Sequence, residues 1–354
     1  MTEADLIEID GAEGEGGGQI VRTSLALAAL TGRALRLRNI RAGRARPGLM
    51  RQHLTCARAV AEIAGATLEG GTIGSSELTL RPPRGTSAGP AMPSGGHFEF
   101  AIGTAGSTTL VLQTLLPLLL HADAPSTVRV TGGTHNPAAP PFEFLRDSFV
   151  PVLAQTGAAV TVELERHGFV PAGGGAVRMH VTPAPRLSGV ELLERGEVTE
   201  HRARALVSSL PTKIGERELR TVRKRLNWSE GECAVEQVDA AGPGNALLLT
   251  AVSPGGTAVF SGFGMHNVTA ERVAAQACGR YRTWLASGAP VCPHLADQVL
   301  LPMALAARAG EASVFRTEKL TPHARTHINL VQRLLGVIVT TEDLGRDGVR
   351  VHVA

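Results

Sequence analysis

Apolar positions near the start of the chain switch between two periods. Leu6, Ile7 and Ile9 predict a short strand, and a glycine loop from Gly11 to Gly18 opens onto Gln19 to Thr31, apolar at helical spacing and closed by Gly32. Leu35, Leu37 and Ile40 alternate as a second strand. A second helical pattern runs over 49–64 and ends at Gly65, with short strands near Thr67 and over 78–80. The unit is β-α-β-α-β-β. The same order recurs: Phe98, Phe100 and Ile102 alternate, 107–120 reads as a helix, 127–130 as a strand, 141–154 as a helix, and 160–164 and 177–181 as strands. Such self-similarity predicts duplicated modules of about 90 residues.

Beyond Pro183 the rhythm changes. Residues 197–227 are charged and read as helical, with Pro211 at a break, followed by strand-like runs near Ala234, Leu247 and Val259. This segment is expected to be a smaller inserted α/β domain. Helical patterns resume over 270–285 and 296–307, and the segments 313–315, 324–335, 337–340 and 349–353 resemble a third, rearranged copy of the module. The expected division is 1–186 for two repeats of a large layered α/β domain, 187–268 for the insertion, and 269–354 for the third repeat.

The chain has 354 residues, a formal net charge of +3 and 43% apolar residues, ordinary for a globular protein large enough for two or so domains. The longest apolar run, 110–120, is interrupted by Gln113, Thr114 and Pro117 and falls short of a membrane span. The acidic start, MTEADLIEID, lacks the basic and then apolar order of an export signal, so a cytoplasmic location is expected. Cys56, Cys233, Cys278 and Cys292 form no CxxC pair, which argues against a thiolate zinc site or a disulfide framework. The only lysines are Lys213, Lys224 and Lys319; none lies in a Walker-type loop or begins Lys-x-Asp-Gly. A protein of this sequence that activates a nucleotide needs a nucleophile other than lysine.

Several segments carry candidate chemistry. GAEGEGGGQIVRT (11–23) places glycines before a helix, where backbone amides and the helix N-terminus favour phosphate. Its acids Glu13 and Glu15 make sense beside a phosphate if a divalent cation bridges the two. It fails the dinucleotide register, since no glycine follows at the required position. RAGRARPGLMRQH (41–53) offers arginine forks matched to phosphate oxygens, followed by Gln52 and His53. The scarcity of aromatics, nine Phe, two Trp and one Tyr, argues against a long stacking groove and for a reader of nucleic-acid ends. AIGTAGSTTLVLQTLLP (101–117) and GGTHNPAAPPFEF (132–144) put small residues where strands hand over to helices; His135 there is either functional or a turn cap. RHGFVPAGGGAV (166–177) reads as a structural hairpin. His323 and His327 are four apart and would share a helix face, but no HExxH glutamate or third metal ligand is evident. A histidine after Thr321 and Pro322, at a helix start, suits an exposed nucleophile or acid-base group.

Together, GEGGGQIVRT, RAGRARPGLMRQHL, GTAGSTTLVLQTLLPLLL, GGTHNPAAPP, RHGFVPAGGG, ADQVLLPMALA and PHARTHI closely resemble the RNA 3'-terminal phosphate cyclase family, in the family's order and over nearly the whole chain. The resemblance implies an α/β protein with three repeats of a translation-initiation-factor-3 C-terminal-like module and a smaller inserted domain. It implies ATP and a divalent metal (Mg2+ or Mn2+) as cofactors, and an RNA 3'-phosphate end as partner, converted to a 2',3'-cyclic phosphate. His323 would carry AMP as a phosphoramidate. Glu15 would hold the metal; Arg22, Arg41 and Arg44 resemble phosphate-binding arginines. Gln19, which follows the glycine loop, belongs to the same nucleotide site. Gln52 and His53 would line the RNA-terminus site or catalytic pocket, and Gln113, Pro137 and Asp297 correspond to nucleotide contacts, Asp297 also to a group orienting His323. Two positions depart from the family pattern: His327 stands where Asn is usual, and His294 where an adenine-stacking Tyr is frequent. The main alternative is a cyclase-like protein that binds ribosomal RNA precursors without catalysis; His323 and the GEGGG loop with Glu15 argue against it. An enolpyruvyl transferase, with similar repeats, would need no histidine nucleophile. The sequence leaves oligomeric state open, a homodimer included.

Overall fold

Among the described residues, three of the four sheets share one strand arrangement. In the computed structural model, which describes residues 6–86 and 89–354, the first sheet is built from β1 (Leu6–Asp10), β2 (Ala34–Arg38), β3 (Thr67–Glu69) and β4 (Leu78–Arg81), in the order β1-β2-β4-β3. Its first two strands are parallel and the other pairings antiparallel. The second sheet, β5 (Gly96–Ala101), β6 (Ser126–Gly132), β7 (Ala159–Arg166) and β8 (Gly175–Thr182), repeats the pattern as β5-β6-β8-β7. The third does so with β9 (Glu191–Leu192), β14 (Ser313–Thr317), β15 (Val339–Asp343) and β16 (Val349–Val353). The parallel first pair requires a crossover, and in the first two sheets the crossover is a single helix. These helices are α1 (Gly18–Thr31) and α3 (Thr108–Leu120).

In the third sheet the crossover contains the insertion. Glu191–Leu192, which the sequence division assigns to the inserted segment, instead pairs in parallel with Val314 and Phe315. The inserted sheet is β10 (Glu200–Ser208), β11 (Cys233–Gln237), β12 (Gly244–Ser253) and β13 (Gly256–Phe263), ordered β11-β10-β12-β13. α6 (Lys213–Leu226) and α7 (Ala270–Ser287) pack together and against this sheet. Helix 270–287, assigned by the sequence division to the third repeat, therefore packs with the insertion. The helix read over 197–227 is also corrected: its first part is strand β10. Ala203, Ala205 and Val207 are buried while Arg202 and Arg204 point outward, an alternation with period two that the charged composition hides.

The remaining helices are α2 (Arg51–Ile63), α8 (Pro293–Arg308), α9 (Pro322–Leu335) and the predicted 141–154 helix. The last runs as α4 (Phe142–Phe144), a π-helical turn Leu145–Phe149, and α5 (Val150–Gln155). Pro151 has no N–H to give the preceding turn, and the wider turn accommodates that loss. α1 is buried along most of its length, with Val21, Leu25 and Leu27 fully covered, because it contacts α2, α3 and α9. α9 in turn packs on α8. Among the described residues, no helix is long and apolar enough to cross a membrane.

Candidate active site

Helix N-termini from different modules converge around the glycine loop. Gly14 adopts φ +59°, and a Cβ there would lie 2.5 Å from Thr326 Oγ1, so the loop passes tightly over α9. A Cβ on Gly18 would overlap the His53 imidazole near the start of α2. The glycines thus let the loop and the α1 terminus fit between two other helices. The Glu15 N–H donates to Thr326 Oγ1 at 3.1 Å, and that hydroxyl donates to the Pro322 carbonyl at 2.9 Å.

His323 lies in the first turn of α9. Thr321 caps this helix by accepting the Ala324 N–H at 2.9 Å, and its hydroxyl donates to Asp297 Oδ1 at 2.7 Å. His323 Nδ1 is 3.2 Å from Gln19 Oε1 and 3.3 Å from Glu15 Oε2. Both are acceptors, so Nδ1 keeps the proton and Nε2 keeps the lone pair. Arg44 ion-pairs with the Glu15 carboxylate and donates to its carbonyl at 3.1 Å. Burial first, then the Arg22 and Arg44 charges, push the His323 pKa below the ordinary histidine value. The imidazole is neutral, as a nucleophile requires.

Beside these groups is a narrow cleft between α1, α3 and α8, with a cavity of about 50 Å³, lined by Gln19, Arg22, Gln113, Gln298 and His327 among others. Arg22 has no carboxylate or hydrogen-bond partner among the described residues. Burial lowers its pKa. An uncompensated guanidinium near helix N-termini is an anion site. Both polar atoms of the Gln113 side chain are also buried without partners, as is His327 Nε2. These unpaired atoms, with the Arg22 charge, make the cleft a candidate contact surface for a polar, anionic ligand.

The two C-terminal histidines separate sharply. The His323 side chain is 48% exposed, whereas His327 is 4% exposed, with Nδ1 2.9 Å from the Asp297 carbonyl oxygen. Burial pushes the His327 pKa down to about 4. Asp297 is buried beneath both, and desolvation raises its carboxyl to about 7.

The other predicted residues occupy varied places. His53 is buried, its pKa driven to about 3 by burial and then by Arg22 and Arg41, and its Nδ1 accepts the Met50 N–H at 3.4 Å. Gln52 Oε1 accepts the Ser107 N–H at 2.7 Å, tying α2 to the cap of α3. The Arg41 guanidinium donates within its own loop, to the Arg46 and Gly48 carbonyls. His294 is exposed at the start of α8, within electrostatic range of His323. Pro137 is exposed in the loop after β6 and does not line the cavity. The sequence reading placed a helix start at Thr321 and Pro322 but gave neither Thr321 nor Thr326 a role in the site. A threonine before Pro at a helix start is a capping signal that points to Thr321; the Thr326 contact with Glu15 spans 311 positions and has no local signal.

The sequence model of a family described as "RTC: RNA 3'-terminal phosphate cyclase" matches residues 13–341. A protein from Ectopseudomonas mendocina named RNA 3'-terminal phosphate cyclase is 50% identical over 340 residues, covering 96% of this chain and 95% of the relative. Similar proteins bearing the same name come from Ralstonia nicotianae, 48% identical over 97% of this chain and 95% of the relative, and Salmonella enteritidis, 45% over 96% of each. With a match over nearly its whole length and relatives of this identity, the chain belongs to the RNA 3'-terminal phosphate cyclase family.

Proposed function

We propose that this protein converts an RNA 3'-phosphate to a 2',3'-cyclic phosphate at the expense of ATP, with His323 as the covalent nucleophile. The observation that carries the proposal is the His323 ring: Nδ1 is held by Gln19 and Glu15, which leaves the Nε2 lone pair free, within the electrostatic range of unpaired Arg22.

His323 Nε2 forms a bond to the α-phosphorus of ATP as the bond to the bridging oxygen breaks and pyrophosphate leaves. Glu15 and Gln19 hold the proton on Nδ1 and steady the developing positive ring. An oxygen of the RNA 3'-phosphate then takes AMP, breaking the phosphorus–nitrogen bond and giving a phosphoanhydride. The adjacent 2'-hydroxyl attacks the 3'-phosphorus, loses its proton to solvent and expels AMP. The vicinal hydroxyl is effective because ring closure is intramolecular. Arg22 and Arg44, with the amides at the α1 terminus, are assigned to phosphate charge. Glu15 would hold a divalent cation through the oxygen that now faces Arg44, in place of that ion pair, and the ion would neutralise triphosphate charge when bound.

The test is incubation with α-labelled ATP and a divalent metal, without RNA. Acid-labile label is expected on the wild type and on His327→Ala, is absent from His323→Ala, and is discharged by RNA bearing a 3'-phosphate. No label on the wild type would reject the mechanism and favour a non-catalytic RNA-binding role. Loss in His327→Ala alone would move the nucleophile one helical turn.

A further inference from the structure

A second histidine cluster lies outside the His323 site and shares no residue with it. His135 follows β6, Glu143 lies in α4, and His167 follows β7. One potential ligand atom from each lies within 4.8 Å of the other two. His135 Nε2 is 2.8 Å from Glu143 Oε2, and the two imidazoles stack with centroids 5.3 Å apart. His135 and Glu143 are buried, and His167 is half-buried. The other His135 nitrogen, Nδ1, is 2.8 Å from Thr134 Oγ1, which itself accepts the Gly168 N–H at 2.9 Å. A metal-ligating histidine is normally oriented through its second nitrogen in this way.

We propose that His135, Glu143 and His167 bind one zinc-class transition-metal dication. Two imidazoles and one carboxylate form the His2Glu donor set suited to Zn2+, with a fourth position for water. On binding, His135 presents the tautomer with its single proton on Nδ1, so that Nε2 gives its lone pair to the metal in place of the Glu143 hydrogen bond and Nδ1–H donates to Thr134, with no net proton released. Arg204 approaches Glu143 at 3.7 Å, but its charge is taken up by Glu236 through two 2.6 Å hydrogen bonds. The site stands at a seam: His167 forms a bridge with Ala240 beside the inserted sheet, and Gly244 of β12 packs against Phe169. A bound ion would fasten the β7–β8 loop at that seam.

The experiment strips metal from the full chain with a chelator and titrates Co2+ and Zn2+. Glu15→Gln serves as the background, so that an ion at the nucleotide site is not counted. One equivalent of Co2+ is expected, with visible absorption of a four- or five-coordinate nitrogen-containing site, displaced by Zn2+ with a rise in unfolding temperature. Adding His167→Ala or Glu143→Gln is expected to weaken binding by at least tenfold. Absence of the visible spectrum overturns the proposal without any cluster variant, which settles the matter even if those variants fail to fold. Binding undiminished by His167→Ala overturns it equally. Because label transfer to His323 is read separately, failure of this site leaves the cyclase reading untouched.

Discussion

His323 and His327 are one helical turn apart, yet burial sets them in opposite surroundings. The exposed ring keeps a free Nε2, while the buried one is fixed against the Asp297 carbonyl. Because the His323 pKa is lowered, adenylylation is expected to persist into more acid solution than an ordinary histidine nucleophile would allow, with a pH midpoint below 6.5. A midpoint at or above 6.5 would contradict this. Asp297 works in the other direction. Its folded value near 7 lies above the 3.8 of a free carboxyl, so the folded chain holds a proton that the unfolded chain has released. Its stabilising contribution is therefore complete below pH 4 and declines as pH rises towards 7. Asp297→Asn keeps an acceptor for Thr321, and its urea midpoint should gain on the wild type progressively across that interval. Thr321→Ala removes the cap and should cost about 1 kcal/mol in denaturant unfolding.

At the scale of elements, the repeated β-α-β-α-β-β order was legible because buried strands and amphipathic helices carry distinct periods. The helix over 19–31 and the hairpin around 166–177 agree with α1 and the antiparallel β7–β8 pair. Strand β10 was hidden because Arg202 and Arg204 made its outward face look like a charged helix. β9 is two residues long and has no period to detect. Within the site, the glycine loop and the helix start at Thr321 were readable locally. The Glu15–Thr326 and Gln52–Ser107 links were not, since they join different modules. Those links make loop position critical. Gly18→Ala would drive a Cβ into His53, and an adenylylation loss of at least about 10²-fold is expected, with circular dichroism unchanged.

At the scale of the whole molecule, Arg316 connects the insertion to its host. Its guanidinium donates to the carbonyls of Leu193, Ser287, Gly288 and Asp347, at 2.9–3.1 Å. Arg316→Met would strand several of these acceptors, and a loss of about 3 kcal/mol or more in urea unfolding is expected. Leu193 and Arg316 are 123 positions apart, and β9 cannot pair with β14 until the whole insertion between them exists. Contacts of such separation form late. During synthesis the first two sheets and the glycine loop are complete long before α9 emerges. His323 is thus delivered last, and under the proposed mechanism a nascent chain cut short before the third sheet has nothing with which to accept AMP.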